Sequence, residues 1–296
     1  MMTNYSKISD YNTNRICSLF EYSRDINYIK TMVPEFEYNM IISVLTSAGQ
    51  YNDIIKDYMC QLTIKDKKVI FISDTHYGSR YDNIILPHRV FNFATCYGIK
   101  TIFHCGDILH GNPSNNKGRI DDFEQLKCFL ENYPRDKEIK THALLGNHDY
   151  LAISHKGRIY YDLNSRDDIE ILGSKKAFFD WNGMNIGLQH NIEKYKLNFP
   201  GEFHEDYNFR GHSHYYFIKE YEGQYHIHVP ALCDDPTYLL SRKNEIEDKK
   251  IFRPGFLTAE KYDNCIVITN YYFDENNYIV RGSERPLVKK YKNTSI

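Results

Sequence analysis

Gly146-Asn147-His148-Asp149 follows directly on the apolar run His142-Ala143-Leu144-Leu145, an odd position for an amide, an imidazole and a carboxylate. Polar groups at the end of a buried strand cost free energy unless something pairs with them. Two earlier segments have the same form. Val69-Ile70-Phe71-Ile72-Ser73 runs into Asp74-Thr75-His76, and Thr101-Ile102-Phe103-His104-Cys105 runs into Gly106-Asp107. Two later ones supply imidazoles: Ile186-Gly187-Leu188-Gln189 ends at His190, and Asn208-Phe209-Arg210 ends at Gly211-His212-Ser213-His214. Open α/β sheets build their sites beyond the carboxyl ends of strands. The segments therefore read as one metal site.

Two divalent ions held side by side need a carboxylate that touches both, because a shared negative charge offsets their repulsion. Asp107 lies between the two donor groups in chain order and is the natural bridge. Asp74, His76 and His214 would complete one shell, and Asn147, His190 and His212 the other. Such donors suit Mn first, with Fe, Zn or Co as alternatives, and the lack of a Cys donor speaks against a structural zinc. Asn147 is neutral, so it adds a ligand without making the site repel a phosphate. His148 is placed to contact the phosphoryl oxygen or to protonate the leaving oxygen. Asp149 would orient His148 and stabilise its charge. The expected nucleophile is a metal-bound hydroxide attacking in line.

These groups must be carried by alternating strands and helices. Lys68–Ser73, Thr101–Cys105 and Thr141–Leu145 read as strands. Between them come a helix around Leu86–Cys96 closed by Gly98, and one opened by Asp121-Asp122 with Phe123, Leu126, Phe129 and Leu130 on one face. That βαβαβ order predicts parallel strands with right-handed crossovers. From Ile169 onward the pattern changes to antiparallel pairs. Ala177–Trp181 and Met184–Gln189 flank Asn182-Gly183, a strong hairpin signal. Tyr215–Tyr221 and Tyr225–Val229 flank Glu222-Gly223, and Cys265–Phe273 and Tyr278–Arg281 flank Asp274–Asn277. Asn112–Gly118 reads as a flexible loop beside the site.

Residues 1–64 read as helical, with Gln61–Lys68 as a polar connector. Ile16, Leu19 and Phe20 share one face, Ile26, Ile29 and Met32-Val33 continue a second segment ended by Pro34, and Glu37–Ser47 forms a third stopped by Gly49. Three short helices with a tight break resemble a helix-turn-helix module. Residues 1–60 carry five basic and seven acidic side chains, and the third helix has no Lys or Arg. Phosphate neutralisation, on which DNA binding leans, is thus poorly served. The expected domains are this module (1–64) and the α/β domain (65–296).

A formal net charge of −2 gives no bulk attraction to nucleic acid or membrane. The seven cysteines are scattered without a C-x-x-C pair, which points to reduced thiols and a cytoplasmic setting. No apolar run approaches the roughly 20 residues that span a bilayer. His88, His104, His142, His155, His204, His226 and His228 receive no role, since a lone histidine is usually structural. His110 is close to the site in sequence. Arg80, Arg210 and Tyr77 are candidate substrate contacts, outweighed by ordinary surface or core roles.

Asp74-Thr75-His76, Gly106-Asp107, Gly146-Asn147-His148-Asp149, His190 and Gly211-His212-Ser213-His214 resemble, in order, the motifs of the calcineurin-like metallophosphoesterase superfamily. The resemblance implies a four-layer αββα sandwich of mixed sheets, here preceded by a small all-α module. It also implies a dinuclear phosphoesterase using the metal and catalytic residues named above. Ile72-Ser73-Asp74-Thr75-His76-Tyr77-Gly78 and Gly106-Asp107-Ile108-Leu109 are most similar to the DNA-repair exonuclease branch. That branch differs in having an Asp or aromatic-Asp where this chain has His110-Gly111. The Asp-Arg-Gly of the protein phosphatase branch is absent. The implied partner is a phosphate-ester substrate, with DNA or RNA leading, no membrane, and an oligomer left open. Small nucleotides or phosphoprotein are the alternative substrates, and a DNA-binding protein with a non-catalytic phosphoesterase domain is the rival reading.

Overall fold

The computed structural model describes residues 9–23, 26–36, 40–41, 44–45, 59–111, 120–155, 162–163, 165–174, 176–190, 206–221, 223–234 and 253–288. The chain folds as two compact units, Met1–Cys60 and Gln61–Ile296. In the first, α1 (Asp10–Ser23) and α2 (Ile26–Met32) bury Ile16, Phe20, Ile29 and Val33. Arg15 ties them together, donating to Glu35 Oε1 at 2.8 Å and to the Met32 carbonyl at 2.7 Å. Residues 40–41 and 44–45 are helical; most of the expected third helix, Glu37–Ser47, and its Gly49 stop lie outside the described residues.

The second unit contains two mixed sheets. The first has the order β6 (Lys176–Asp180), β7 (Asn185–Gln189), β8 (Tyr207–Arg210), β10 (Gln224–His228), β9 (Phe217–Tyr221). At its β6 edge lies β1 (Met59–Thr63), whose residues from Gln61 onward belong to this unit. The second sheet has the order β13 (Ile279–Val288), β12 (Cys265–Phe273), β11 (Gly255–Lys261), β2 (Lys68–Ile72), β3 (Thr101–His104), β4 (Lys140–Leu145), β5 (Ile169–Ser174). Its centre, β2 to β5, is parallel, and β11 to β13 form the antiparallel margin.

Alternation along the central strands divides their side chains between two cores. Phe71 and Phe103 point to the first sheet, where Phe71 stacks on Phe209 with centroids 3.5 Å apart and Phe103 on Phe179 at 4.6 Å. Ile70, Ile72, Ile102, Ala143 and Leu145 point the other way, onto α3 (Ile85–Cys96), α4 (Asp122–Asn132) and α5 (Asn147–His155). Such apolar-on-both-faces strands are what a buried parallel sheet requires.

The expected βαβαβ core, the Gly98 stop (φ +64°) and the three hairpins are present. Asn182 (φ +49°) and Gly183 (φ +85°) both take left-handed backbone at the β6–β7 turn, as a type I′ turn demands. Glu222 of the β9–β10 turn and Asn112–Gly118 lie outside the described residues.

Several expectations are corrected. Met59–Thr63 is a strand and not helix or connector; its five residues are too short to outweigh the helical pattern before them. The chain from Ile169 is not uniformly antiparallel, since β5 pairs parallel with β4, β7 with β8 and β8 with β10. Parallel partners leave no tight-turn signal, because their connections are long. β11, unanticipated, sits antiparallel to both β2 and β12 and joins the last hairpin to the parallel centre. Phe123 is 40% exposed, and Gln125 takes its place on the buried face of α4.

Asp121 caps α4 as expected, accepting from Phe123 N at 2.9 Å and Glu124 N at 3.0 Å. Asp121→Ala should therefore cost about 1 kcal/mol, read as a melting temperature a few degrees lower with unchanged catalysis.

Candidate metal centre

The carboxyl ends of β2, β3, β4, β7 and β8 deliver Asp74 and His76, Asp107, Asn147, His190, and His212 and His214. The structure brings these residues together in two sets. Donor atoms of Asp74, His76 and His214 lie within 4.8 Å of one another, and so do those of Asp107, His190 and His212. Asn147 Oδ1 stands 3.2 Å from His190 Nε2, which adds it to the second set.

Backbone conformation shows what this costs. Asp74 (φ +52°), His76 (+46°), Asp107 (+55°), His212 (+70°) and His214 (+62°) all adopt the left-handed region. Side chains other than Gly rarely do so, and such strain gathers at functional sites. Interlocking bonds hold the turns: Asp74 N donates to Gly106 O at 2.9 Å, His76 N to Asp107 O at 3.1 Å, and His212 N to Asp74 Oδ2 at 2.9 Å. The approach is so close that a Cβ on Gly106 would sit 2.6 Å from His190 Nδ1.

Asp107 is the junction. Its Oδ1 accepts from His148 N at 2.9 Å. Its Oδ2 is buried without a hydrogen bond, 3.0 Å from His190 Nε2 and 3.8 Å from His76 Nε2. His76 Nε2 and His214 Nε2 face each other at 3.2 Å, and His214 Nε2 is 3.3 Å from Asp74 Oδ1. Electron-rich oxygen and nitrogen donors crowded around an unsatisfied carboxylate oxygen fit divalent cations. His190 Nδ1 donates to the Cys105 carbonyl at 2.7 Å, which leaves Nε2 to face inward, as a ligating imidazole requires.

Charge coupling is strong. Burial alone would raise the Asp107 carboxyl, but His190 and His148 draw it well below the usual range. Burial would lower His190, yet the carboxylates of Asp107 and Asp74 push it up to about 9. Burial drives His76 well down, and burial with His190 lowers His212. A cation held by His190 Nε2, as the sequence leads one to expect, would displace that proton, so binding there at pH 7 should release one. Affinity should rise with pH and level off above about 9. Calorimetric titrations in buffers of different ionisation enthalpy read that proton directly; a heat independent of buffer contradicts the assignment.

His148 and Asp149 depart from the expected pair. They do not lie on an irregular loop but open α5, with Gly146 before the first turn. Asp149 accepts from Gly146 N at 2.8 Å, the back-reaching half of a capping box. It also accepts from Leu109 N at 2.7 Å and Ile108 N at 3.1 Å. Its carboxylate thus clamps the Asp107 loop to the start of α5, and it is the His110 carbonyl that receives His148 Nδ1. Burial and the Asp107 charge raise Asp149 to about 6.

Sequence reasoning placed His110 near the site without assigning it a role, and it missed His104. His110 is buried, and its ring stacks on His148 at 5.2 Å and meets His76 edge-on at 5.4 Å. His104 is buried beneath the turns, held neutral because burial pushes its pKa down to about 4. Adjacency to the Gly106-Asp107 motif was the available signal for both. Tyr77 is 1% exposed and packs on Phe129, so it is core. Arg80 is exposed over the Tyr81 ring. Arg210 ends β8 half-buried.

Residues 68–239 match the calcineurin-like phosphoesterase superfamily domain. An uncharacterised protein of Methanocaldococcus jannaschii is 26% identical over 200 residues, covering 58% of this chain and 74% of that protein. Among solved structures, the phosphoesterase YfcE of E. coli is similar at 16% identity and TM-score 0.45, covering 75% of this chain and 100% of its own. Vps29 of Chaetomium thermophilum is similar at 11% identity and TM-score 0.45, covering 76% and 98%.

Proposed function

Since this chain belongs to the calcineurin-like phosphoesterase superfamily, and is thereby a metal-dependent phosphoester hydrolase, we propose that it is a two-ion phosphodiesterase acting on nucleic acid. One observation carries the two-ion part: Asp107 Oδ2, buried and without a hydrogen bond, faces donor atoms of both sets. Asp74, His76 and His214 would hold one ion, and Asn147, His190 and His212 the other, with Asp107 between. When bound, two divalent ions, Mn first among them, supply Lewis acidity to the phosphoryl oxygens and a water-derived nucleophile at neutral pH.

The chain's own side chains do the rest. Asn147, on the first turn of α5, contributes an oxygen without charge, so an anionic diester is not repelled. His148 keeps its Nδ1 proton on the His110 carbonyl, which leaves Nε2 for a substrate oxygen. As imidazolium it donates from Nε2 to an oxygen of the ester, and the same carbonyl steadies the ring in both protonation states. Asp149 acts through position, by fixing where α5 begins.

The nucleic-acid part rests on the likeness of the Asp74-Thr75-His76-Tyr77-Gly78 and Gly106-Asp107-Ile108-Leu109 segments to the exonuclease branch. In this reading the Met1–Cys60 unit is a helix-turn-helix-like targeting device that works by shape more than by charge. Two of its cations are already engaged, Arg15 on Glu35 and Lys30 on the Pro34 carbonyl at 2.7 Å.

The test is hydrolysis of labelled single- and double-stranded DNA, RNA, bis(p-nitrophenyl) phosphate and a phosphoprotein by Mn-loaded protein. Chelation should abolish every rate and Mn should restore it. Cleavage of DNA or RNA supports the reading. Cleavage of the nitrophenyl diester alone replaces nucleic acid with a small diester, and activity on phosphoprotein alone overturns the phosphodiesterase assignment.

A further inference from the structure

Beneath the two turns that carry Asp74, His76 and Asp107 lies a chain of hydrogen bonds whose direction is fixed at each link. Gly106 N donates to His104 Nδ1 at 3.2 Å, so that nitrogen carries the lone pair. The proton of the neutral ring is then on Nε2, which stands 3.1 Å from Thr75 Oγ1 and donates to it. The Thr75 hydroxyl in turn donates to the Ile108 carbonyl at 3.0 Å. All these groups are buried, His104 to 1% and Thr75 to 2% exposure, so no water stands ready to replace a lost partner.

The topology gives the chain its significance. Thr75 lies between Asp74 and His76, and Gly106 and Ile108 flank Asp107. His104 therefore spans the two ligand-bearing turns from below, at the level of their side chains. Main-chain bonds already pair these turns, but every ligand on them sits in strained left-handed backbone that would relax without further restraint. We infer that His104 is a positioning residue which, through Thr75, holds the Asp74–His76 turn and the Gly106–Asp107 turn at the spacing needed to hold two ions. This rests on the two-ion reading. Its own claim is that a histidine outside every metal-ligand motif sets the affinity of the pair.

Calorimetric titration of metal-free protein with Mn tests it. Wild type should take up two ions. His104→Ala and Thr75→Val, the latter nearly isosteric, should each weaken one ion by about 10–100-fold, the usual cost of losing a partner behind a ligand. They should also alter the magnetic coupling of the Mn pair seen by electron paramagnetic resonance. The double variant should be no worse than His104→Ala, because both remove the same link. His104→Gln, whose amide nitrogen can reach Thr75, should recover most of the affinity. If His104→Ala does not fold, Thr75→Val decides alone.

Wild-type affinity for both ions in Thr75→Val overturns the inference, as do additive losses or a lowered melting temperature with unchanged Mn binding. Fewer than two Mn in wild type overturns the two-ion reading, and the inference with it.

Discussion

Asp107→Asn should lower phosphodiester turnover by at least about a thousandfold, because in the two-ion reading proposed above several kcal/mol of transition-state stabilisation would rest on the paired ions. The amide keeps the shape and can still accept the His148 N–H through its oxygen. What disappears is the negative charge between the two donor sets, at the oxygen 3.0 Å from His190 Nε2. Two cations would then face each other with less to offset their repulsion. The same substitution removes the main group raising His190, so the proton release expected at pH 7 should shrink. Turnover at saturating Mn, Mn stoichiometry and circular dichroism measured together separate loss of the site from loss of the fold. Turnover within tenfold of wild type, with both ions bound, would remove Asp107 from its central place.

Gly146→Ala should be nearly as damaging, for a steric reason. A Cβ at Gly146 would fall on Asp107 Oδ1 and only 2.5 Å from Asp107 N. Gly146 is not among the glycines with positive φ, so space and not conformation excludes a side chain there. Neither neighbour can yield cheaply, since Oδ1 is held by His148 N and the Asp107 turn by the Asp149 clamp. The β3 and β4 turns must separate. Overpacking of this kind costs about 1–3 kcal/mol of stability. Misplacing a reacting group by about 1 Å costs about a hundredfold in rate. Gly183→Ala is the control: its Cβ would meet nothing within 4 Å, so only its turn conformation is strained and turnover should be unchanged. Equal rates for the Gly146 variant and wild type would show that the turns are not locked as described.

The parallel centre, the helices α3 and α4 and the Asn182-Gly183 hairpin were legible because each announces itself locally. Apolar runs, 3.6-residue spacing, Asp121 as cap and a two-residue turn need no knowledge of distant chain. β11 and the parallel pairings of β5, β8 and β10 were not legible. Which strand lies beside which is settled by the fit of whole sheets, and Gly255–Lys261 gains its place only from β2 and β12 on either side.

The site divides along the same line. Sequence alone determined that Asp74, His76, Asp107, Asn147, His190, His212 and His214 are the donors worth watching. Their types and their strand-end positions are local facts, and their order along the chain matches the family. It also placed His148 and Asp149 next to them. Only the tertiary structure decided what those neighbours touch. Asp149 gives its oxygens to the amides of Gly146, Ile108 and Leu109, and His148 rests on the His110 carbonyl, because α5 begins at Asn147 and turns these side chains onto the β3 loop. His104 gains a partner in Thr75 because β2 and β3 lie side by side, with Ile72 level with His104. A ligand is recognisable by its chemistry, whereas a supporting bond exists only where two distant turns are brought within about 3 Å.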